Sequence, residues 1–511
     1  MQPSFNLIDQ PWIPCLREDG TIEELSILDC LTRAHTISSI NCDSPLEFAA
    51  IHRLLLAILH RVFGPSSHAE WYKLWKNNKF DALILKKYFK EFHQRFDLFD
   101  PDKPFYQLRD DRVLPKSIIN LVAEMSSGNN ATLFDHHIEA DRVILQPSQS
   151  ARSLCAALLF GLGGLSGISQ KFTDSPWARG VIFMCEGHCL FQTLMLNLIT
   201  YPDESYFPPH TPQDKPAWEM EDPLQPERRI PIGYLDYLTW HSQRILLFPE
   251  EVTQSWVVSK ISRGPALRLD ESMQSLDPMK HYYKDEKKGI RFYRFIEGKA
   301  VWRDSPALFS FSSPSTNPPV VFRHLHDLLA YDYLDRKDMM QFIAIGMAND
   351  QAKIEFTRLE RFPLPLIYIE DEQLVGKLDH AIQIANDINR ILYVAIHQFA
   401  NEIISSSSHS ANKAVSSKDA NNLVSHLGMD YVYWSNLELH FHQLLVTLPT
   451  QPEAAISDWS GKVRKIAHQA LDHAIQLQGE GLNALKASAL AREELTGNLA
   501  RIFSDQKEQT S

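Results

Sequence analysis

The chain has 511 residues, too many for one compact core, so two or three domains are expected. Hydrophobic residues make up 44% and charged residues 22%, which excludes a disordered or low-complexity chain. The formal net charge of -12 excludes a protein that coats nucleic acid by itself. Any contact with nucleic acid must be confined to a small patch, or shared with partners that supply positive charge.

Six cysteines, at 15, 30, 42, 155, 185 and 189, form no dense framework, and no secretory signal is seen. Reduced thiols and a cytoplasmic location are expected. The longest apolar run, LCAALLFGLGGLSGI (154–168), is interrupted by glycine and shorter than the ~20 residues of a membrane span. No membrane association is expected.

In chain order, FNLIDQPWIPC (5–15) reads as a strand, REDGT as an Asp-Gly turn, and IEELSIL as the returning strand. A helix is expected over 43–63, with Ser44 as N-cap, Pro45 at the first helical position and Glu47 closing a capping box. Its apolar face carries Ile51, Leu54, Leu55, Ile58, Leu59 and Val62. RFDLFDPDKPFYQL (95–108) reads as an ordered aromatic loop, and residues 124 to 150 as a long loop without period. A helix over 151–160 leads into GLGGLSGISQKF (161–172). The segment 180–199 reads as strand, Glu-Gly turn and helix, residues 205–230 as proline-rich and irregular, and 287–302 as a hairpin around Glu297-Gly298. After RFPLPLIYIED (361–371) the pattern is helical. Leu378, Ile382, Ala385, Ile388, Leu392, Ala395 and Phe399 form one stripe, a Ser-rich linker spans 405–418, and helical patterns recur at 428–447, 452–478 and 482–504. The expected architecture is α+β: a mixed body over 1–370 and a C-terminal four-helix bundle over 371–511.

Several clusters invite a chemical reading. Asp135, His136 and His137 suggest a metal site, but neighbours in sequence do not converge on one ion unless a loop places them, and no strand pattern precedes them. A polar loop accounts for them without metal. His326-Asp327 resembles the dyad of HD hydrolases but also fits an amphipathic helix with Leu325, Leu328, Leu329 and Tyr333 inward. CEGHC (185–189) lacks the second ligand pair of structural zinc and is expected to be a turn with buried cysteines. GLGGLSG (161–167) is neither a P-loop nor a dinucleotide fingerprint. It is either a flexible connection or a backbone that approaches something closely. Segment 284–303 gathers Lys284, Lys287, Lys288, Arg291, Arg294, Lys299 and Arg303 among aromatics. In an acidic chain this is a local positive patch, compatible with phosphate contact or with a solvated face. IGMANDQAKIEF (345–356) fits a solvated turn or a polar finger.

Taken in order, NLIDQPWIPC, LEFAAIHRLLLAILHR, RFDLFDPDKPFYQ, LCAALLFGLGG, ARGVIFMCEGHCLFQTLMLNLI and IGMANDQAKIE resemble the CasA family, the large subunit of the type I-E CRISPR Cascade complex. The closing bundle is similar too. The resemblance implies a non-catalytic subunit without metal or cofactor, whose partners are the other Cascade subunits with bound crRNA, target double-stranded DNA and a helicase-nuclease. It implies recognition of the protospacer-adjacent motif (PAM) in duplex DNA from the minor groove, the start of strand separation and R-loop formation, and a dock for the helicase-nuclease. The family's glycine loop corresponds to Gly163, Gly164, Gly167 and Ser169, with Gly167 the best single match. Its PAM-contacting lysine has Arg268, Lys287, Lys288 and Arg291 as candidates. Its wedge corresponds to Gln351, flanked by Asn349, Asp350 and Ala352, and its mobile loop to 126–138 with Asn129, Asn130 and Phe134. The competing readings are a metal-dependent phosphohydrolase using Asp135, His136, His137 or His326-Asp327, and a helical scaffold that touches no nucleic acid.

Overall fold

A computed structural model describes residues 2–125, 143–201, 211–287, 289–310, 316–350, 353–407, 416–479 and 481–509. Asn129, Asn130, Phe134, Asp135, His136, His137, Lys288, Gln351 and Ala352 lie outside the described residues. The chain divides into two compact units. One comprises Met1–Ile296, Ala300–Trp302 and Ala307–Glu370; the other comprises Glu297–Lys299, Arg303–Pro306 and Asp371–Ser511. The architecture is mixed α+β with the long helices at the C-terminal end.

The first strands are shorter and later than their alternation predicts. Ile13–Arg17 pairs antiparallel with Ile22–Leu25 around the Asp-Gly turn, and with Ile37–Ile40 on its other side. Residues before Trp12 curl instead of extending, because Asn6 Oδ1 accepts from the Ile8 amide at 3.0 Å and Trp12 Nε1 donates back to Leu7 O at 3.1 Å. The returning strand stops at Leu25, because Ser26 caps the helix Ile27–Thr32 by accepting from the Asp29 amide. Local side-chain hydrogen bonds thus override the period-2 pattern at both ends.

The helix Pro45–Val62 forms with Ser44 as its cap, accepting from Leu46 and Glu47 amides at 3.1 and 3.4 Å. Glu47 does not close the capping box. Its carboxylate accepts from Ser153 Oγ at 2.8 Å and faces Arg152 at 3.4 Å, on the neighbouring helix Pro147–Phe160. That helix starts at Pro147 rather than 151, since Gln149 Oε1 reaches back to the Gln146 amide at 3.0 Å. The 95–108 loop is packed by Phe96, Leu98 and Phe105.

The hairpin expected around Glu297-Gly298 lies upstream: Tyr282–Asp285 pairs with Gly289–Phe292. Asp285 Oδ1 caps the Lys287 amide at 2.9 Å and Gly289 takes φ +72°, which together close the turn there. Glu297-Gly298 makes only a local turn. Two longer hairpins dominate the sheets, Gln243–Val252 with Ser255–Pro265 and Met339–Asp350 with Lys353–Pro365. The second unit carries Glu372–Ser407, Met429–Thr447, Pro452–Leu477 and Leu482–Gln509, plus a short helix, Ser417–His426, inside the expected linker and beyond it. The predicted stripe from Leu378 to Phe399 is buried throughout. Tyr433 and Trp459 donate to Ala385 O and Ala381 O of the first of these helices, at 2.8 and 2.7 Å. Among the described residues no helix is long and apolar enough to cross a membrane.

The core of the first unit holds an ionic cluster. Asp277 accepts from Trp177 Nε1 at 2.7 Å, Tyr237 OH at 2.6 Å and the Met279 amide at 2.9 Å, and faces Arg53 at 3.6 Å. Arg53 also donates to Leu238 O and Tyr237 O at 2.9 and 2.6 Å and lies over the rings of Trp177 and Tyr237. Removing one partner strands the other charge in low dielectric, so Asp277→Ala is expected to destabilise this unit by about 3–5 kcal/mol, read as an earlier transition in denaturant unfolding. Burial also pushes the pKa of His52 down to about 4 and those of His60 and His324 to about 3. The unfolded chain takes up these protons near pH ~6.5 and the folded chain does not, so their contribution is complete above that pH and is lost as pH falls toward ~3–4. Stability should therefore drop between pH ~7 and ~5, and His324→Phe should flatten that slope in urea titrations at each pH.

Candidate nucleic-acid interface

The site is organised around the short strand Ile182–Glu186. It pairs with Met339–Asp350 only from Gln341↔Glu186 to Ile345↔Ile182. Beyond Ile345 the long strand continues, paired among the described residues only with Lys353–Pro365, so the far end of this hairpin projects past the strand Ile182–Glu186. Phe342, Ile343, Ala344 and Ile345 are buried in succession, as in a strand covered on both faces. Gly346 and Met347 continue the buried run, and Ala348 and Asn349 are half-buried. A Cβ on Gly346 would lie 3.1 Å from Gly180 O and 3.5 Å from the Phe295 ring, so glycine permits the close approach. The ladder shifts register between Ala348 and Asn349 and closes at Asp350↔Lys353, with Asn349 half-buried.

The basic hairpin sits at this root. Val181 N donates to Tyr293 O at 3.0 Å, Phe183 N to Met279 O at 2.7 Å and Tyr293 N to His281 O at 3.1 Å. Gly180 has φ +87°, and a Cβ on it would meet Phe292 Cβ at 2.9 Å. Lys284, Lys287 and Arg294 are exposed and Arg291 is half-buried; among the described residues none of the four has an ion-pair partner. Lys280 differs from them. It is buried, donates to Pro176 O at 2.5 Å and lies 5.1 Å from the centre of the Phe292 ring, and burial pushes its pKa down to about 8. It is part of the framework.

The glycine-rich loop is closed on itself. Gly164 and Phe172 exchange backbone hydrogen bonds at 3.2 and 2.9 Å, and the Gly163 amide donates to Asp174 Oδ1 at 2.7 Å. A Cβ on Gly163 would sit 3.2 Å from Asp174 and from Phe172 O, whereas Gly167, at φ +84°, faces open space. Leu165, Gly167 and Ser169 are exposed. Gln170 joins this loop to a second segment: its Nε2 donates to Ala266 O at 3.3 Å and its Oε1 accepts from Arg112 at 2.9 Å. Two residues beyond Ala266, Arg268 is exposed, with Glu271 no nearer than 3.8 Å. Arg179, which precedes Gly180, pairs with Asp174 at 2.9 and 3.3 Å. Gly163, Gly164, Gly167 and Ser169, the Arg268 segment, the hairpin bearing Lys287 and Arg291, and the strand bearing Asn349 and Asp350 are therefore tied to the start of one strand.

The family model for CRISPR-associated protein Cse1 matches residues 6–470. The chain belongs to the Cse1 family. A curated relative, CRISPR-associated protein CasA/Cse1 of Thermus thermophilus, is 30% identical over 96% of each chain. A crystal structure of Thermus thermophilus CasA superposes with a TM-score of 0.80 at 26% identity, covering 98% of this chain and 100% of that one. A chain of a structure described as a CRISPR RNA-guided surveillance complex shares the fold, with a TM-score of 0.75 at 21% identity and coverage of 97% and 100%.

Other clusters singled out in this Cse1-family chain do not assemble further. His326 and Asp327 contact each other at 3.3 Å, and His68 approaches Asp327 at 3.8 Å. Among the described residues no group of three or more His, Cys, Asp or Glu is placed to share a metal ion. Leu325, Leu328 and Leu329 are buried as expected, but the helix Val320–Ala330 ends before Tyr333, which is half-buried and stacks on Tyr72 instead. In CEGHC, Cys185 is buried but Cys189 is only half-buried, because Cys189 stands at the solvent-facing start of the helix Leu190–Asn197. Sequence reasoning missed Gln170, Asp174, Arg179, Gly180 and Gly346. Only the glycines carried a signal, as isolated breaks in apolar runs. Gly180→Ala combines a left-handed backbone with a steric clash and is expected to cost about 1–3 kcal/mol. Gly376→Ala, on an open helix face, should be neutral or stabilising by up to about 1 kcal/mol. Thermal unfolding of the two variants checks the contrast.

Proposed function

We propose that the chain is the non-catalytic large subunit of a type I-E Cascade, and that the surface described above reads the PAM in duplex DNA and starts strand separation. Family membership supports the assembly, and the description of the related surveillance complex agrees with it. The observation that carries the DNA-reading role is a two-stranded hairpin projecting beside a glycine-rich loop and cations that lack ion-pair partners among the described residues, in a chain of net charge -12.

The chemistry suits the minor groove. That groove presents mainly acceptors at A·T pairs and one added amino donor at G·C. The exposed backbone at Gly167, at the apex of the loop that Gly163 and Gly164 close, enters a narrow groove without side-chain bulk. Arg268, Lys287 and Arg291 anchor phosphates, which fixes register without reading sequence. Gln351 follows Asp350 in the sequence, and its amide can donate and accept at once, as a group displacing a base pair must. Unstacking one step costs a few kcal/mol, so the wedge acts only on an anchored duplex. Lys288 adds a phosphate contact, and Asn129, Asn130 and Phe134 contact the crRNA and the PAM region. Another face of the protein docks the helicase-nuclease.

Tests use the crRNA-loaded complex reconstituted with this chain. Gln351→Ala should slow R-loop formation more than it weakens initial PAM binding; equal effects on both steps would remove the wedge role. Neutralising Lys287 or Arg291 should lower the slope of log affinity against log salt by about 0.9 per lost phosphate contact. Asp350→Asn should relax a preference for G·C at one motif position, because a carboxylate accepts from the guanine amino group. An unchanged profile in a PAM-library screen would refute that assignment.

A further inference from the structure

The Asp174 side chain touches both the glycine-rich loop and Arg179, which leads into the strand Ile182–Glu186 that pairs with the projecting hairpin. One carboxylate oxygen accepts from the Gly163 amide at 2.7 Å and from Arg179 Nη2 at 3.3 Å; the other accepts from Arg179 Nε at 2.9 Å. Such charge-assisted pairs hold direction as well as distance. Arg179 leads directly into Gly180, whose carbonyl lies where a Cβ on Gly346 would come within 3.1 Å. A continuous line of contacts thus runs from the loop backbone through Gly163, Asp174, Arg179 and Gly180 to the root of the hairpin at Gly346. Of the loop's other ties, the Gly164–Phe172 ladder is internal and Gln170 leads toward Arg268, while the Ser175 amide donates to Gly161 O at 2.8 Å and fixes the loop at its first residue; Asp174 makes the tie at Gly163, two residues further along.

The pair is not a core element. The Asp174 and Arg179 side chains retain 25% and 22% of their exposure. Ion pairs of this kind add little to global stability. The Gly163 amide would find water if the carboxylate were absent. What the carboxylate adds is a fixed offset between two elements that must enter the same groove, and recognition sites tolerate only small errors in such offsets.

We propose that Asp174 is a positioning residue for duplex recognition. It holds the glycine-rich loop in register with the projecting hairpin, so that both engage one groove of a DNA duplex. The proposal rests on the PAM-reading role set out above. It is specific to the ratio of affinities for duplexes with and without the motif, since positioning acts on the shared fit and not on phosphate contacts.

The test measures that ratio in the crRNA-loaded complex, with the salt dependence of motif-free binding and the thermal midpoint as controls. Asp174→Ala is expected to lower the ratio about five- to tenfold, with both controls unchanged. Arg179→Gln should do the same, and the double variant should be no worse than either single one, because all three break one link. Asp174→Asn keeps an acceptor for Gly163 and should recover part of the ratio. If Asp174→Ala fails to fold, Asp174→Asn and Arg179→Gln must both lower the ratio while folding normally. A ratio within about twofold of wild type in the folded variants overturns the proposal, as do additive losses in the double variant. A wild-type complex that does not distinguish the two duplexes overturns the PAM-reading role itself. A wild type that distinguishes them beside an Asp174→Ala that does so equally well overturns only the positioning role.

Discussion

A carboxylate withdrawn from water must recover its hydration from protein donors, and Asp277 does so by collecting them from separate parts of the chain. Trp177, Tyr237 and the Met279 amide donate to it, and Arg53 faces it. Burial and the neighbouring carboxylate push the Tyr237 hydroxyl well above its usual pKa, which keeps it protonated and donating. An incomplete set of partners would leave a buried charge uncompensated. The consequence is geometric. Residues 176–180 and 277–281 are held side by side, with Lys280 donating to Pro176 O. The Ile182 strand and the basic hairpin both start from this fixed pair of segments. The candidate interface therefore depends on a polar cluster deep in the first unit.

On that base, glycine sets how closely the elements approach. Gly180 and Gly346 let two backbones and the Phe292 and Phe295 rings meet where any Cβ would intrude. Gly163 and Gly167 serve different ends. The first is crowded against Asp174 and Phe172, so the loop can close, while the second turns the loop outward into open space. The glycine-rich run is thus a built loop with one exposed apex. This favours the reading in which its backbone approaches a ligand.

The basic hairpin is a local exception to the acidic balance of the chain. With 63 acidic against 51 basic residues, the chain repels a polyanion over most of its surface. Lys284, Lys287, Arg291 and Arg294 lack ion-pair partners among the described residues, so their field is not cancelled locally. Many other surface arginines are engaged by carboxylates, such as Arg336 by Glu370 and Asp332 or Arg61 by Glu219.

Much of the architecture was legible because it rests on local periodicity. The stripe from Leu378 to Phe399, the cap at Ser44 and the strand-turn-helix of 180–199 all follow from side-chain spacing and cap chemistry. The errors came where local hydrogen bonds compete with pattern. Asn6 and Ser26 trimmed the first strands, and Asp285 with Gly289 moved a hairpin upstream of the Glu297-Gly298 signal. The acidic balance, the basic segment, the family resemblance and many of the elements were readable from the sequence, whereas the hairpin Gln243–Val252 with Ser255–Pro265 and the helix Ser417–His426 were not. Tertiary contacts alone bring the Gly163 loop, Arg179-Gly180, Phe292 and Gly346 together, and tie Gln170 to the segment before Arg268. Their proximity is made by Asp174, Gln170, Gly180 and the Asp277 cluster, through contacts between residues far apart in the chain. No spacing rule encodes such contacts, because they exist only once the core has closed.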